Sequence, residues 1–337
     1  MKIFKNTVLL GALLAAGCIT GVVNAATINK TMGVRPYSKV MSDGATVQYW
    51  AYCISGSAPS LPGPQVEVGV GDTLNLTLQL TGPTCSGGGT GGGGGMQEPA
   101  PYNGHTIHMH GADVSTSEDG VPETNGNLVN GDTYTFTPTA NMAGSMMYHC
   151  HVHTVKHLEM GMYGALVVRP KDAAGNFLNQ ITTNANTAYN YVQTYLFSTV
   201  DPAYHTAIGD SPVFADYNPK YFMISGKEGK TTAAPAITLA AAKSKKVALR
   251  LVGIHSVNGT FSIKDASGNA QPFTIYTQDA RSLPTPQTVT TLEMTPGQRF
   301  DIMFTTPSTT GTWYPQMLYK NIRDGGAYQT TYGKVTF

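Results

Sequence analysis

The chain has 337 residues, a formal net charge of +1 and only 12% charged residues. This length exceeds the need of a single β-sandwich and predicts two domains. The near-neutral charge provides no basic surface of the kind that binds nucleic acid, which excludes that class of partner.

The first 25 residues have the features of a secretory signal peptide, with Lys2 and Lys5 ahead of an apolar stretch at residues 7–19. The stretch is too short to span a membrane, and no later one approaches the roughly 20 apolar residues that a spanning helix needs. We therefore predict a periplasmic or secreted protein with no membrane span. Lipid attachment through Cys18 is the less favoured alternative.

Three cysteines remain after removal of that segment: Cys53, Cys85 and Cys150. In an oxidising compartment at most one pair can form, which leaves one thiol. Histidines flank Cys150 and neither of the other two. We therefore predict a disulfide between Cys53 and Cys85 and a free thiol at Cys150.

Short β-branched or alternating runs separated by Gly, Pro and Asn recur along the chain, a spacing typical of a sandwich or barrel. They lie at residues 46–52, 65–68, 73–80, 134–137 and 164–168, and again at 236–239, 246–252, 260–263, 273–276, 288–294 and 300–304. A predicted strand ends near residue 169 and an Asn- and Thr-rich stretch follows. We predict an all-β protein of two Greek-key sandwich domains, residues 26–171 and 172–337.

Seven of the nine histidines lie in two short segments between residues 105 and 157. On a strand, side chains alternate faces, so His108 and His110 share one face while His105 points to the other. The second segment alternates in the same way around Cys150. If the segments are neighbouring strands, His105 and Cys150 meet on one side and the alternating histidines gather on the other.

A thiolate, two imidazoles and a distant thioether form the ligand set of a mononuclear blue-copper site. The chain supplies such a set as His105, Cys150, His157 and Met162. The other face supplies four imidazoles for one or more further copper ions, from His108, His110, His149 and His151.

The pattern His-x-x-His-x-His-Gly, followed by His-Cys-His and His-Leu-Glu-x-Gly-Met, resembles the copper signature of multicopper oxidases. Residues 62–64, 71–73 and 296–301 also resemble segments of that family's first two domains. The resemblance implies cupredoxin-like domains, a type 1 copper on the first ligand set and part of a trinuclear cluster on the second. It further implies that Asp119 assists oxygen reduction beside the cluster.

The chain departs from this pattern in two places. Six residues separate Cys150 from His157, more than is usual, so His153 is an alternative ligand. The second domain has only His205 and His255 and no His-x-His pair, so it lacks the histidines that complete a trinuclear cluster. We interpret His205 and His255 as ordinary surface or loop residues.

Three hypotheses stay open. In the first, a homo-oligomer brings two first domains together and forms an oxidase centre with oxygen and a small-molecule or metal-ion electron donor, which docks at an exposed edge of His157. The second is a nitrite-reductase-like enzyme with His110 and His149 on a type 2 copper. The third is a blue-copper electron carrier or copper-tolerance protein. In the third, nearby methionines would provide soft Cu(I) contacts, namely Met109, Met142, Met146, Met147 and Met160.

Overall fold

A computed structural model describes residues 25–80, 84–86, 104–125, 131–206 and 217–337. Nearly all of the predicted signal peptide lies outside these residues. Within them, no helix has the length and apolar character needed to cross a membrane.

The first half of the chain is built mainly of short strands, as predicted. Its elements are β1 (Thr27–Val40), β2 (Thr46–Ile54), β3 (Gly63–Gly69), β4 (Thr73–Leu78), β5 (His108–His110), α1 (Pro122–Asn125), β6 (Thr133–Phe136), β7 (Gly144–His149), α2 (Thr154–Glu159) and β8 (Tyr163–Arg169). They form two sheets with the strand orders β2-β1-β4-β6 and β3-β8-β7-β5. Each of the five predicted segments falls on a strand.

The two sheets of the first half enclose one hydrophobic core. Met32 of β1 and Leu76 of β4 come from one sheet, and Met146 of β7 and Leu166 of β8 come from the other, all fully buried. Burying each such side chain stabilises the fold by roughly 1.5–3 kcal/mol. Cys150 belongs to this core, so its side chain is held by packing on several sides.

The second half repeats the architecture. Its elements are β9 (Tyr191–Val200), α3 (Pro202–Thr206), β10 (Tyr221–Ile224), β11 (Ile237–Ala240), β12 (Lys246–Gly253), β13 (Asn258–Asp265), β14 (Phe273–Gln278), β15 (Arg281–Val289), β16 (Thr291–Met294), β17 (Arg299–Thr305), β18 (Thr312–Lys320) and β19 (Ala327–Thr336). The sheets have the orders β10-β9-β12-β17-β14-β15 and β11-β19-β18-β13-β16. Their core includes Phe197, Leu249, Phe261 and Ile302. The boundary near residue 171 stays a prediction.

The halves are joined by an apolar layer and by buried hydrogen bonds to a carboxylate of the second half. Tyr49 and Met147 pack in one cluster with side chains of β9, β10 and β12. Asp301 of β17 accepts hydrogen bonds from the Ser145 backbone nitrogen (2.8 Å) and hydroxyl (2.6 Å), and pairs with Arg250 at 2.9 Å. The second half is thereby fixed against β7, the strand that ends at His149.

The predicted disulfide is confirmed. Cys53 of β2 is bonded to Cys85, with their Cα atoms 5.8 Å apart, and Cys150 is a buried free thiol. The bond closes a loop that contains β3 and β4, and it links β2 to the segment after β4, a strand of the same sheet.

Candidate metal centre

The two histidine segments are neighbours, as the alternation predicts. β5 and β7 pair antiparallel, with His108 opposite His149 and His110 opposite Met147. His105 precedes β5, and Cys150 and His151 follow β7 directly. The sheet therefore brings both segments to one end of the first half, where the side chains form two groups.

The first group contains His105, Cys150 and His157, whose candidate ligand atoms all lie within 4.8 Å of one another. The sulfur of Cys150 is 3.0 Å from Nδ1 of His157 and 4.0 Å from Nδ1 of His105. The Thr106 backbone N–H donates to the same sulfur at 3.4 Å. All three side chains of the group are buried.

The environment of Cys150 favours the thiolate. Burial alone would raise the pKa of the thiol, but the adjacent His157 and His105 outweigh burial and hold the pKa well below its usual value. The thiolate, not the thiol, is the metal-binding form. A soft sulfur with two imidazole nitrogens in a dry interior fits copper.

The segment that follows Cys150 folds back over it. The Cys150 N–H donates to the carbonyl of Met162 at 3.1 Å, and the Met162 N–H donates to the carbonyl of His157 at 3.0 Å. Met162 is fully buried in the same core as Cys150. His153 adopts a left-handed conformation (φ 44°) ahead of α2, and its ring centroid is 6.1 Å from that of His157. The three-residue group contains His157 rather than His153.

The second group contains His108, His110 and His149, again with ligand atoms within 4.8 Å of one another. Nδ1 of His110 lies 3.3 Å from Nε2 of His149. The ring of His151 is 5.0 Å from that of His108 and stacks on that of His149 at 5.8 Å. The four histidines of the predicted second set therefore lie together.

Hydrogen bonds fix which nitrogen each imidazole presents. Nδ1 of His108 contacts the backbone oxygen of Asp119 at 2.6 Å and its carboxylate at 3.3 Å, and Nδ1 of His149 contacts the carbonyl of Cys150 at 2.8 Å. A carbonyl oxygen only accepts, so Nδ1 carries the proton in both rings and Nε2 keeps its lone pair. Such second partners orient metal-binding histidines.

Burial keeps the second group neutral. It lowers the pKa of His149 to about 3, and together with the nearby Arg299 it lowers the pKa of His110 to about 4. Neutral imidazole is the form that binds metal ions, so these two side chains are in that form near neutral pH.

Arg299 is a neighbour of the second group that sequence reasoning missed. It begins β17 in the second half, is buried, and pairs with Asp279 at 3.0 Å. Gly111, directly after His110, has φ +96°, and a Cβ there would lie 2.4 Å from Nη2 of Arg299. The glycine that follows His110 was the available signal, because glycine readily adopts a positive φ and lets another group approach the backbone closely.

The interpretation of His205 and His255 as surface or loop histidines is wrong as to exposure, although His255 does lie in the loop between β12 and β13. His255 is fully buried, and its Nδ1 bonds to the carbonyl of Val257 at 2.5 Å. The side chain of His205 is 3% exposed, contacts the carbonyl of Gln48 through Nδ1 at 2.6 Å, and packs edge-on against Tyr49. Neither belongs to the two groups formed by the described residues.

The prediction that His157 has an edge exposed to solvent is also wrong. His157 is 0% exposed and His105 is 6% exposed. The ring of Trp50 lies edge-to-face against both imidazoles, with centroids 5.2 Å from His157 and 6.2 Å from His105. The first group is therefore closed to solvent on the side where the sequence predicted a docking edge.

The five methionines named as soft copper contacts are all buried. Four lie in the core of the first half and Met147 lies in the layer between the halves. Packing accounts for their positions, and they form no exposed methionine surface.

Sequence comparisons match both halves to one family. Two family models, each described as multicopper oxidase, match residues 100–173 and 204–333, together more than half of the chain. The chain is 28% identical to Laccase-3 of Botryotinia fuckeliana over 259 residues, 75% of this chain and 50% of that protein. It is 27% identical to the copper-containing nitrite reductase of Neisseria meningitidis over 151 residues, 44% of this chain and 30% of that protein. The chain thus spans 50% of the length of the laccase and 30% of the length of the reductase.

Structural comparisons show the same fold. The blue copper oxidase of Nitrosomonas europaea has a TM-score of 0.66 at 20% identity, covering 92% of this chain and 86% of that one. The copper nitrite reductase of the same organism has a TM-score of 0.60 at 19% identity, covering 92% and 94%. The predicted all-β, cupredoxin-like fold is confirmed. Because models of this family match both halves of the sequence, the chain belongs to the multicopper oxidase family, whose members bind copper.

Proposed function

We propose that the protein is an exported copper-dependent oxidoreductase that takes electrons from a donor and reduces dioxygen. A type 1 copper would be held by His105, Cys150, His157 and Met162, and a second copper centre by His108, His110, His149 and His151. Bound copper supplies one-electron redox chemistry at both places. The observation that carries the proposal is the pair of adjacent groups, one with a thiolate and one of imidazoles alone.

The two groups are linked through the backbone. His149 and Cys150 are consecutive residues, and Nδ1 of His149 also donates to the Cys150 carbonyl at 2.8 Å. A covalent route and a hydrogen-bonded route therefore join the thiolate to the second group. This linkage supports a coupled function in which electrons received at the first group are used at the second.

Neighbouring residues stabilise the thiolate of the first group and place an acidic side chain beside the second group. The Thr106 N–H donates to the Cys150 sulfur and stabilises its negative charge. Asp119, whose side chain is 32% exposed, holds the proton of His108 at Nδ1 and reaches solvent on its other side. We assign Asp119 the role of handling protons at the second group, because oxygen reduction consumes protons at that place.

The second centre would be completed by another copy of the chain. In the described residues its close group has three histidines with His151 beside them, and neither histidine of the second half joins it. A symmetric homo-oligomer would supply the remaining ligands from an equivalent surface. The electron donor would be a small molecule or a metal ion.

A nitrite-reductase-like activity is the second candidate. A close group of three histidine nitrogens is enough for one isolated copper ion, and His110 and His149 are both part of it. The identity to proteins named copper-containing nitrite reductases also supports this candidate.

Copper content per chain, measured with electron paramagnetic resonance and the mass in solution, tests the proposal. We expect type 1 and additional copper in an oligomer, together with donor-dependent oxygen uptake. Nitrite consumption without oxygen uptake would favour the second candidate. A monomer with a single type 1 copper would instead identify an electron carrier or copper-binding protein and would refute the enzyme proposal.

Two substitutions separate the groups in the same assay. Cys150→Ser removes the thiolate, so the blue absorption should vanish while copper at the second group remains. His110→Ala should remove copper from the second group while the blue absorption remains. Circular dichroism controls for folding, and a Cys150→Ser protein that stays blue would disprove the assignment of the sulfur ligand.

A further inference from the structure

The junction between the predicted signal peptide and β1 is bonded to a buried carboxylate. The predicted signal peptide ends at Ala25, and Val23 and Ala25 give it the small-residue pattern of a cleavage site. Cleavage after Ala25 leaves Ala26 as the first residue of the remaining chain. β1 begins at the next residue, Thr27. The new N-terminus would therefore lie directly before a strand.

Both backbone polar groups of Ala26 are bonded to the chain at the start of β4. The Ala26 nitrogen donates to Oδ1 of Asp72 at 2.8 Å, and the Ala26 carbonyl accepts from the Thr73 N–H at 2.8 Å. The parallel pairing of β1 with β4 starts at the next residue, where Thr27 lies opposite Thr73. The nitrogen that cleavage would free thus has a fixed position beside an acidic side chain.

The surroundings of Asp72 hold its carboxylate for this contact. Asp72 is buried, its Oδ2 accepts from the Gly69 N–H at 3.2 Å, and Lys171 pairs with its Oδ1. The carboxylate therefore joins the start of β1, the turn between β3 and β4, and the chain beyond β8. Ala26 itself is exposed, so an ammonium group there keeps part of its hydration. A second cation beside Lys171 consequently does not have to be buried.

We propose that Asp72 is the binding site for the α-ammonium group that signal-peptide cleavage creates at Ala26. In that step a signal peptidase adds water across the bond between the Ala25 carbonyl carbon and the Ala26 nitrogen. The products are a carboxylate on the removed peptide and an ammonium group on the remaining chain, since an α-amino group is mostly protonated at neutral pH. Cleavage thus adds an attraction between opposite charges to an existing hydrogen bond.

The inference rests on export, one part of the proposed function, and on none of its copper chemistry. Asp72 and the metal groups lie at opposite ends of the first half. Tyr163 of β8 lies opposite His149, whereas Val168 lies opposite Gly144 at the far end of β7, and Lys171 follows beyond it. Copper content and oxygen uptake therefore succeed or fail separately from measurements on the N-terminus.

The first residue of the exported protein is the first measurement. Intact mass and N-terminal sequencing of the periplasmic or secreted fraction should give a chain that begins at Ala26. A lipidated chain that begins at Cys18, or any other start, would overturn the inference, because Asp72 would then have no ammonium group to bind. A chain that retains Met1 would in addition refute export.

Two copper-loaded chains that differ by one residue isolate the effect of the charge. One begins at Ala26 and the other at Ala25, and both are released by a protease that leaves the chosen first residue. In the longer chain the Ala26 nitrogen is a neutral amide and the ammonium group is one residue away. The chain that begins at Ala26 should unfold at a temperature roughly 2 °C higher, the shift for one partly exposed ion pair in a chain of this size. Equal midpoints would overturn the inference.

Asp72→Asn and Lys171→Gln are matched controls, each made in both chains. Asp72→Asn keeps an acceptor oxygen but removes the charge, so the two chains should then unfold at the same temperature. Lys171→Gln removes the competing cation and keeps the carboxylate, so the difference should persist. A difference that survives Asp72→Asn would come from another contact and would refute the role of Asp72.

The reactivity of the α-amino group gives a readout that needs no substitution. A succinimidyl ester acylates the unprotonated amine, so an ammonium group paired with Asp72 should react several-fold more slowly than that of the longer chain. In urea both chains should react at similar rates, which controls for intrinsic reactivity. Mass spectrometry of the N-terminal peptide measures the rates, and equal rates in the two folded proteins would contradict the pairing.

Discussion

At the candidate centre, consecutive residues of the chain belong to different metal-binding groups. Cys150 and His149 are adjacent in the chain, yet the first belongs to the thiolate group and the second to the imidazole group. Alternation of side chains along β7 produces this separation without any insertion. One short strand end therefore contributes to both candidate groups, and the backbone links them covalently.

Met162 provides a test of the proposed thioether ligand of the first group. Replacing it with leucine conserves volume, so the cost in stability should stay below about 1.5 kcal/mol. Because a weak axial sulfur tunes the potential of a blue-copper site, Met162→Leu should keep the colour and raise the reduction potential. Redox titration of the blue absorption measures this, and Met160→Leu is the matched control because Met160 is equally buried nearby. A colourless Met162→Leu protein would contradict the role proposed for Met162, a weak ligand that tunes the potential.

His255 should make stability depend on pH. Burial lowers its pKa from 6.5 to about 4, so the unfolded chain binds a proton there that the folded chain does not. The free energy of unfolding should therefore fall as the pH decreases from 6.5 towards 4, by about 3 kcal/mol from this one residue. Denaturant unfolding across that range measures the slope. His255→Gln should lack this part of the slope, and an identical pH dependence in both proteins would exclude the effect.

At the scale of elements, the turn after β5 holds the second histidine group against the second half of the chain. Gly111 adopts φ +96° beside Arg299, so the backbone conformation favours glycine and an added Cβ would displace the guanidinium of Arg299. β5 has only three residues, and this turn therefore contributes strongly to the position of His110.

Gly111→Ala tests that turn against a matched glycine. Gly131 has a similar φ of +99°, but a Cβ there meets nothing within 4 Å among the residues that the structure describes. Both alanine variants carry a backbone cost of about 1–2 kcal/mol, and Gly111→Ala should cost about 1–3 kcal/mol more through the clash with Arg299. It should also weaken copper binding at the second group while the blue absorption persists. Equal stabilities of the two variants would argue against the close contact.

Local patterns in the sequence predicted the elements that carry the chemistry, but not what covers them. Alternation sufficed to place His108 and His110 on one face and to separate them from His105. β1 was missed, because Gly33 and Pro36 interrupt its apolar pattern. His157 is buried in contact with Trp50, which lies on a strand distant in sequence, and no local pattern reports such a contact.

At the scale of the whole molecule, the second half acts on a site whose candidate ligands all lie in the first. Arg299 approaches the second histidine group, and two residues later Asp301 accepts hydrogen bonds from Ser145 on β7. Residues 296–301, singled out by their resemblance to a family segment, thus form a contact between the halves. The second half supplies no histidine to either group, yet its contacts with Ser145 help to hold β7 in place.

Asp301→Asn should reveal how far the halves depend on this contact. The amide cannot balance the buried Arg250, so the free energy of unfolding should fall by about 3–5 kcal/mol. Ser145→Ala is the control, because it removes one hydrogen bond to the same carboxylate and should cost only about 1 kcal/mol. The folded Asp301→Asn protein should keep its blue absorption, since His105, Cys150 and His157 are held within the first half. Thermal unfolding monitored by circular dichroism and by the blue band measures both effects, and unchanged stability would show that the contact does not join the halves energetically.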